Sequence, residues 1–149
     1  IEQVISLASD QEKRRLYAQA RTTLFSQLER APELLKAGRE SEADKLVAEA
    51  IGASKFGEAD INRIGYELLG KRGQPKVAEL VMKANAHTHA QSDNAQDSYG
   101  EVLLGEKKAA DAKVQFLNAI AIAEKQGKSD RVLRGYRSNL AKAEQALVR

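Results

Sequence analysis

Along most of this chain small or apolar residues return every three or four positions, with charged residues between them. Ala78, Val81, Met82 and Asn85 fall on one helical face, and so do Ala112, Gln115, Phe116 and Ala119. The pattern predicts helices near residues 10–30, 40–52, 58–71, 75–90, 93–105, 109–126 and 130–148, and no strands. Starts are marked by Ser9-x-x-Glu12, by Pro75, by Ser92 or Asp93, and by Ser129 or Asp130, all residue types suited to a first helical turn. Pro32 cannot sit inside a helix without losing a hydrogen bond, so the first helix should break there and leave a short piece over Glu33 to Ala37. The last helix sets Leu133, Tyr136, Leu140, Ala143 and Leu147 at alternating spacings of three and four, giving one packing side and one wet side.

The helices repeat with a period near 35. Gly38, Gly73 and Lys107 form one column. Ala43, Ala78 and Ala112 form a second, Val47, Met82 and Phe116 a third, and Ala50, Asn85 and Ala119 a fourth. Gly65 and Gly100 stand 35 apart inside matching phrases, Ile64 to Leu69 and Tyr99 to Leu104. Between the halves of each unit lies a turn signal, Lys36 to Arg39, Lys71 to Gln74, and the glycine-free Glu106-Lys107-Lys108. Each unit is therefore expected to be a helical hairpin.

Such a hairpin, with Gly in its first helix, Gly at the turn, and Ala, a large apolar residue and Ala down its second, resembles the tetratricopeptide repeat. Two units match over 58–90 and 93–123, and a degenerate one covers about 10–52 through Gly38, Ala43, Val47 and Ala50. The resemblance implies an all-α, right-handed stack of hairpins over 1–149, about seven helices in all, closed by a capping helix at about 130–148. Lys107 in place of the turn glycine, Ala90 in place of a helix-ending proline and one extra residue in Gly70 to Gly73 depart from the family pattern. The wording of 60–69, with Asn62, Gly65, Tyr66, Leu68 and Leu69, then Asn85, then Ser92, Asp97, Ser98, Gly100 and Glu101, is similar to the tetratricopeptide tails of bacterial serine hydrolases, β-lactamase-like or esterase-like. It implies a C-terminal accessory module with its enzyme upstream, in keeping with a chain that opens at Ile1. Such hydrolases are often exported, so the lean is to the periplasm; an independent scaffold is the alternative.

Composition narrows the chemistry. At 149 residues with 42% hydrophobic and 30% charged residues, the chain has the size and apolar content of one folded domain. It has no cysteine, which excludes disulfides, thiolate metal sites and cysteine nucleophiles, and no apolar run long enough to span a membrane. No Gly-x-Ser-x-Gly elbow, Ser-x-x-Lys or phosphate loop occurs, so no catalytic residue and no cofactor site is expected. His87 and His89, at i and i+2, point apart on a helix and read as exposed surface residues that make a poor metal pair, so no metal is expected. Net charge is +3, yet six basic and only two acidic residues lie between Lys128 and Arg149, leaving eighteen basic against nineteen acidic elsewhere. That stripe, Arg131, Arg134, Arg137 and Lys142, reads as the wet back of the capping helix; without interleaved aromatics it does not suggest nucleic acid.

Stacked hairpins line a concave groove with their first helices, here Ala59, Asn62, Arg63, Tyr66 and Leu69, then Asn94, Asp97, Ser98, Glu101 and Leu104. The candidate peptide-contacting residues are Asn62, Arg63, Tyr66, Leu69, Asn94, Asp97, Ser98 and Glu101, whose mixed chemistry suits an extended segment better than an anion. Asn85 occupies a packing column where an unpaired amide would cost about 1–3 kcal/mol. Asp97 and Ser98 on the next helix are its expected partners in a structural lock. The expected function is a non-catalytic interaction or oligomerisation module, with a protein or peptide partner, another copy of itself, or an upstream catalytic domain.

Overall fold

The computed structural model describes residues 9–149, and among these every regular element is a helix. They are α1 (Asp10–Leu28), α2 (Ala31–Lys36), α3 (Glu40–Ser54), α4 (Glu58–Leu69), α5 (Pro75–Thr88), α6 (Asp93–Gly105), α7 (Ala109–Lys125) and α8 (Asp130–Leu147). The boundaries follow from local chemistry. Ser9, Ser92 and Ser129 each accept a hydrogen bond from the amide three residues on, capping α1, α6 and α8. Glu12 does not return the favour to Ser9, because its carboxylate is held by Arg15. Pro32 and Pro75 sit in first turns, where a missing N–H costs nothing, and the chain breaks ahead of Pro32 at Glu29 and Arg30.

The helix ends explain the turn column. Gly38 at φ 73° and Gly73 at φ 58° take the left-handed conformation that terminates a helix, and Lys107, standing where the glycine is replaced, does the same at φ 63°. Behind Gly38 and Lys107 the same bond closes the turn, from the Arg39 amide to the Leu34 carbonyl and from the Lys108 amide to the Leu103 carbonyl, each 2.9 Å. The extra residue in Gly70 to Gly73 carries Arg72 out of the turn, so that its guanidinium lies 3.9 Å above the Phe25 ring of α1.

Consecutive helices pack in pairs, α4 on α5 and α6 on α7, and each pair packs on the next through α5 with α6 and α7 with α8. At the other end α3 joins α1 and α2 to α5. The larger core cluster runs from Leu24 and Leu28 through Val47, Ile51, Phe56, Ile61, Ile64 and Leu68 to Val77, Ala78 and Val81. The smaller gathers Leu103, Ala112, Phe116 and Ala143, with Tyr99, Leu104 and Leu140 packed against it.

Within each pair a glycine of the first helix receives a large side chain of the second. A Cβ at Gly65 would stand 2.5 Å from Met82 Cε, and one at Gly100 would stand 2.6 Å from Phe116 Cε1. Met82 and Phe116 are both fully buried. The 35-residue spacing continues to Gly135 on α8, where a Cβ would meet nothing within 4 Å. Helix α8 thus holds the sequence position of a first helix, with no described second helix against that glycine.

These three glycines should respond differently to alanine. Gly135→Ala should raise the melting temperature, since alanine is better than glycine inside a helix by about 0.5–1 kcal/mol. Gly100→Ala should lower it, because overpacking a rigid buried ring costs about 1–3 kcal/mol. Gly65→Ala should fall between, as a thioether bends out of the way more readily than a ring. Thermal melts of the three variants check the order, and Gly100→Ala melting above Gly135→Ala would refute the interlock.

Candidate functional site

The first helices α4, α6 and α8 meet along one polar seam. On α6, Asp93, Asp97 and Glu101 are spaced by four, so three carboxylates line one side of the helix. Helix α8 answers with neutral donors: the Tyr136 hydroxyl donates to Asp93 Oδ2 at 2.8 Å, and Asn139 Nδ2 donates to Asp97 Oδ1 at 3.0 Å and Glu101 Oε1 at 3.3 Å. From α4, the Tyr66 hydroxyl donates to Glu101, with the Ser98 hydroxyl close by. Asn94 Nδ2 of α6 donates to Glu58 Oε1 of α4 at 2.9 Å. One cation approaches the carboxylate row, Lys128 Nζ at 3.8 Å from Asp93.

This crowding shows in the titration of the groups. Burial pushes the Asp97 carboxyl up to about 6, reinforced by the charges of Glu101 and Asp93 and opposed by the Asn139 hydrogen bond. Tyr66 is raised above the ordinary phenol range by burial and then by its bond to Glu101, and Tyr136 is raised likewise by burial and Asp93. Both hydroxyls are therefore fixed donors at neutral pH.

The candidate groove residues divide. Tyr66 and Leu69 are exposed by more than a third, and Arg63 is 75% exposed along its side chain. Asn94 and Glu101 are exposed at the seam. Ser98 and Asp97 are buried, at 2% and 8% exposure, and so are not open lining residues. Their cover is α8, which lies where a further first helix would lie, and Asn139 sits directly over the Asp97 carboxylate. Asn62 is half-buried, and its Oδ1 has no hydrogen-bond partner.

The expected Asn85 lock takes a different form. Asn85 is fully buried, but its Nδ2 donates to the Glu58 backbone carbonyl at 3.1 Å and its Oδ1 accepts from His89 Nδ1 at 2.9 Å. The lock therefore joins α5 to the start of α4 within one pair, and Asp97 and Ser98 take no part. The first bond fixes which end of the amide is oxygen, so His89 must carry its proton on Nδ1. His89 is accordingly a half-buried structural residue instead of the expected surface one, while His87 is exposed. Besides Tyr66–Glu101 and Asn94–Glu58, Gln96 ties one pair to the next through a buried bond, its Nε2 donating to the Ala86 carbonyl at 3.0 Å. Sequence reasoning missed Glu58, Asp93, Gln96, Tyr136 and Asn139. The signal for the α8 pair lay in Tyr136 and Asn139, 35 residues after Glu101 and Leu104.

Among the described residues no group of three or more acidic or histidine side chains is arranged to hold a metal, and no helix is long and apolar enough to cross a membrane. No family model, curated protein or solved structure matches this chain.

Two expectations follow. Asn85→Ala leaves the His89 N–H without its buried acceptor and should cost about 1–3 kcal/mol by chemical denaturation, with Asp97→Asn unable to reproduce the loss. Asp97→Asn keeps the acceptor for Asn139 and removes a buried charge. A carboxyl raised from 3.8 to about 6 on folding loses stability as pH climbs from about 4 to 6, and the loss persists above that range. The variant should therefore melt higher than wild type at pH 7.5, on the order of 1–3 kcal/mol, and the gap should narrow as pH falls through about 6 and close below about pH 4. A gap that does not change with pH would contradict the assignment.

Proposed function

We propose that this chain is a non-catalytic protein-interaction module that holds an extended, cation-bearing peptide along the face of α4, α6 and α8. The observation that carries the reading is the carboxylate row of α6, answered from α4 and α8 almost wholly by uncharged donors: Glu101 is its exposed member, and Asp93 and Asp97, at 7% and 8% exposure, add charge from beneath the surface without contacting the peptide. With Glu58 and Asp60 of α4 nearby in the chain, the first-helix face is acidic, and its exposed members Tyr66, Leu69 and Glu101 offer apolar contact, hydroxyl and charge together. Such a surface attracts basic segments at a distance and orients them at contact. The basic residues Arg131, Arg134 and Lys142 are exposed, and they belong to the back of α8 in this reading. A tail of this kind on a serine hydrolase would present the bound segment to the enzyme that carries it.

Fluorescence anisotropy with a labelled nonapeptide alternating arginine and glycine tests the reading. Binding should weaken steeply with salt, and an alternating glutamate peptide should not bind. Glu101→Gln should weaken binding by roughly fivefold, about the 1 kcal/mol that one partly exposed charge pair contributes. Arg134→Gln should leave it unchanged. Equal binding of the acidic peptide, or dependence on Arg134 in place of Glu101, would overturn the proposal.

A further inference from the structure

Helix α1 reaches α4 through Tyr17–Asp60 and Arg21–Glu67, and the side chains there make two copies of one chemical arrangement. At the lower copy, Phe25 of α1 and Glu67 of α4 hold a guanidinium: Arg72 stacks 3.9 Å above the Phe25 ring and lies 3.6 Å from Glu67, and Arg21 reaches the same ring at 5.3 Å and the same carboxylate at 2.6 Å. Two turns up each helix, Tyr17 replaces Phe25 and Asp60 replaces Glu67. There the Tyr17 ring stacks on Phe56, with centroids 6.0 Å apart and planes 15° apart. Around them opens a cavity of about 350 Å³ lined by Tyr17, Arg21, Phe56, Asp60, Arg63 and Ile64. That lies within the roughly 300–1,000 Å³ of ordinary ligand clefts.

The walls define what fits. Two aromatic rings and the buried Ile64 accept a flat, weakly hydrated group, and a carboxylate at the rim selects one that is cationic and donates through a planar fork. Arg21 is already engaged by Glu67, and Arg63 is mostly exposed with a single loose contact, 3.5 Å to Asp60. Asp60 also receives the Tyr17 hydroxyl at 3.4 Å, a long bond that leaves acceptor capacity on the carboxylate. A guanidinium entering this space would repeat what the molecule does for Arg72 with its own side chain.

We propose that the cavity between α1 and α4 is a binding site for an arginine side chain of the partner peptide. This rests on the peptide-holding reading and adds a residue preference to it. The peptide would run across α4 from the α6 carboxylates, with one arginine turned into the cavity and its neighbours along the acidic face. Arg63 then acts as a gate: its guanidinium contacts the same Asp60 carboxylate and must swing outward on binding.

The test is a titration of ¹⁵N-labelled protein with N-acetyl-arginine amide, and in parallel with N-acetyl-lysine amide, followed by amide chemical shifts. Saturating shifts around Tyr17, Phe56 and Asp60 are expected with the arginine compound, with the lysine compound weaker by roughly fivefold or more for want of stacking and a fork. Asp60→Asn should weaken arginine binding by a similar factor with the melting temperature unchanged, and Arg63→Ala should tighten it. Equal response to lysine, indifference to Asp60→Asn, or shifts confined to α6 with the cavity silent would each overturn the site. The two proposals fail separately. A lysine-only nonapeptide that binds as tightly as the arginine one removes the arginine site and leaves the peptide-holding face intact. Filling of the cavity by N-acetyl-arginine amide in a protein that binds no basic peptide keeps the site and removes the face.

Discussion

The arrangement depends on one steric constraint, the insertion of a large buried side chain over a glycine of the preceding helix. Met82 over Gly65 and Phe116 over Gly100 leave no room for even a methyl group, so the helix backbones of each pair approach closely and in one register. Because both pairs use the same register, 35 residues apart, their first helices are presented in the same way. That brings Tyr66 of α4 to Glu101 of α6. Helix α8, whose Gly135 receives no such insertion, meets α6 through Tyr136 and Asn139 instead.

Polar chemistry then accumulates where the first helices meet. The pairs bury their aliphatic residues between themselves, and α8 adds only Leu133 and Ala143 as buried residues. Its attachment to α6 combines that modest apolar contact with hydrogen bonds from Tyr136 and Asn139 to carboxylates. Neutral donors satisfy those carboxylates without cancelling their charge; burial and the neighbouring carboxylates raise Asp97 against the opposing Asn139 bond. The chain's net positive charge lies in its last stretch, six basic against two acidic residues over 128–149, while the remainder carries eighteen basic against nineteen acidic residues. In the proposed function this segregation separates a binding face from a solvated one.

Much of the fold was legible in the sequence because its determinants are local. Capping serines, first-turn prolines and turn glycines act within four residues of themselves, and the columns of small and large residues report pair packing directly. Even the departure at Lys107 was readable, since the backbone there keeps the left-handed turn. The Asn85 partner was not legible, because its acceptor is the Glu58 carbonyl, and a backbone carbonyl leaves no trace in residue type. Asp97 and Ser98 were read as groove lining because α8 was treated as a cap, whereas Gly135 and Tyr136 continue the series of Gly100 and Glu101 and place a further helix over them. Several of the residues singled out in the sequence have structural duties here: Gly65 and Gly100 receive the interlocking side chains, Ser92 caps α6, and Asn85 ties α5 to α4.

The central claim is that the face of α4, α6 and α8 is where this protein meets its partner. Hydrogen–deuterium exchange of the full chain, free and saturated with the arginine–glycine nonapeptide, tests it most directly. Slowed exchange in segments covering α4, α6 and α8, with the outer side of α7 around Val114 and Leu117 unchanged, is the predicted result. Protection centred on α7 or on the basic back of α8, with α4 and α6 unaffected, would contradict it.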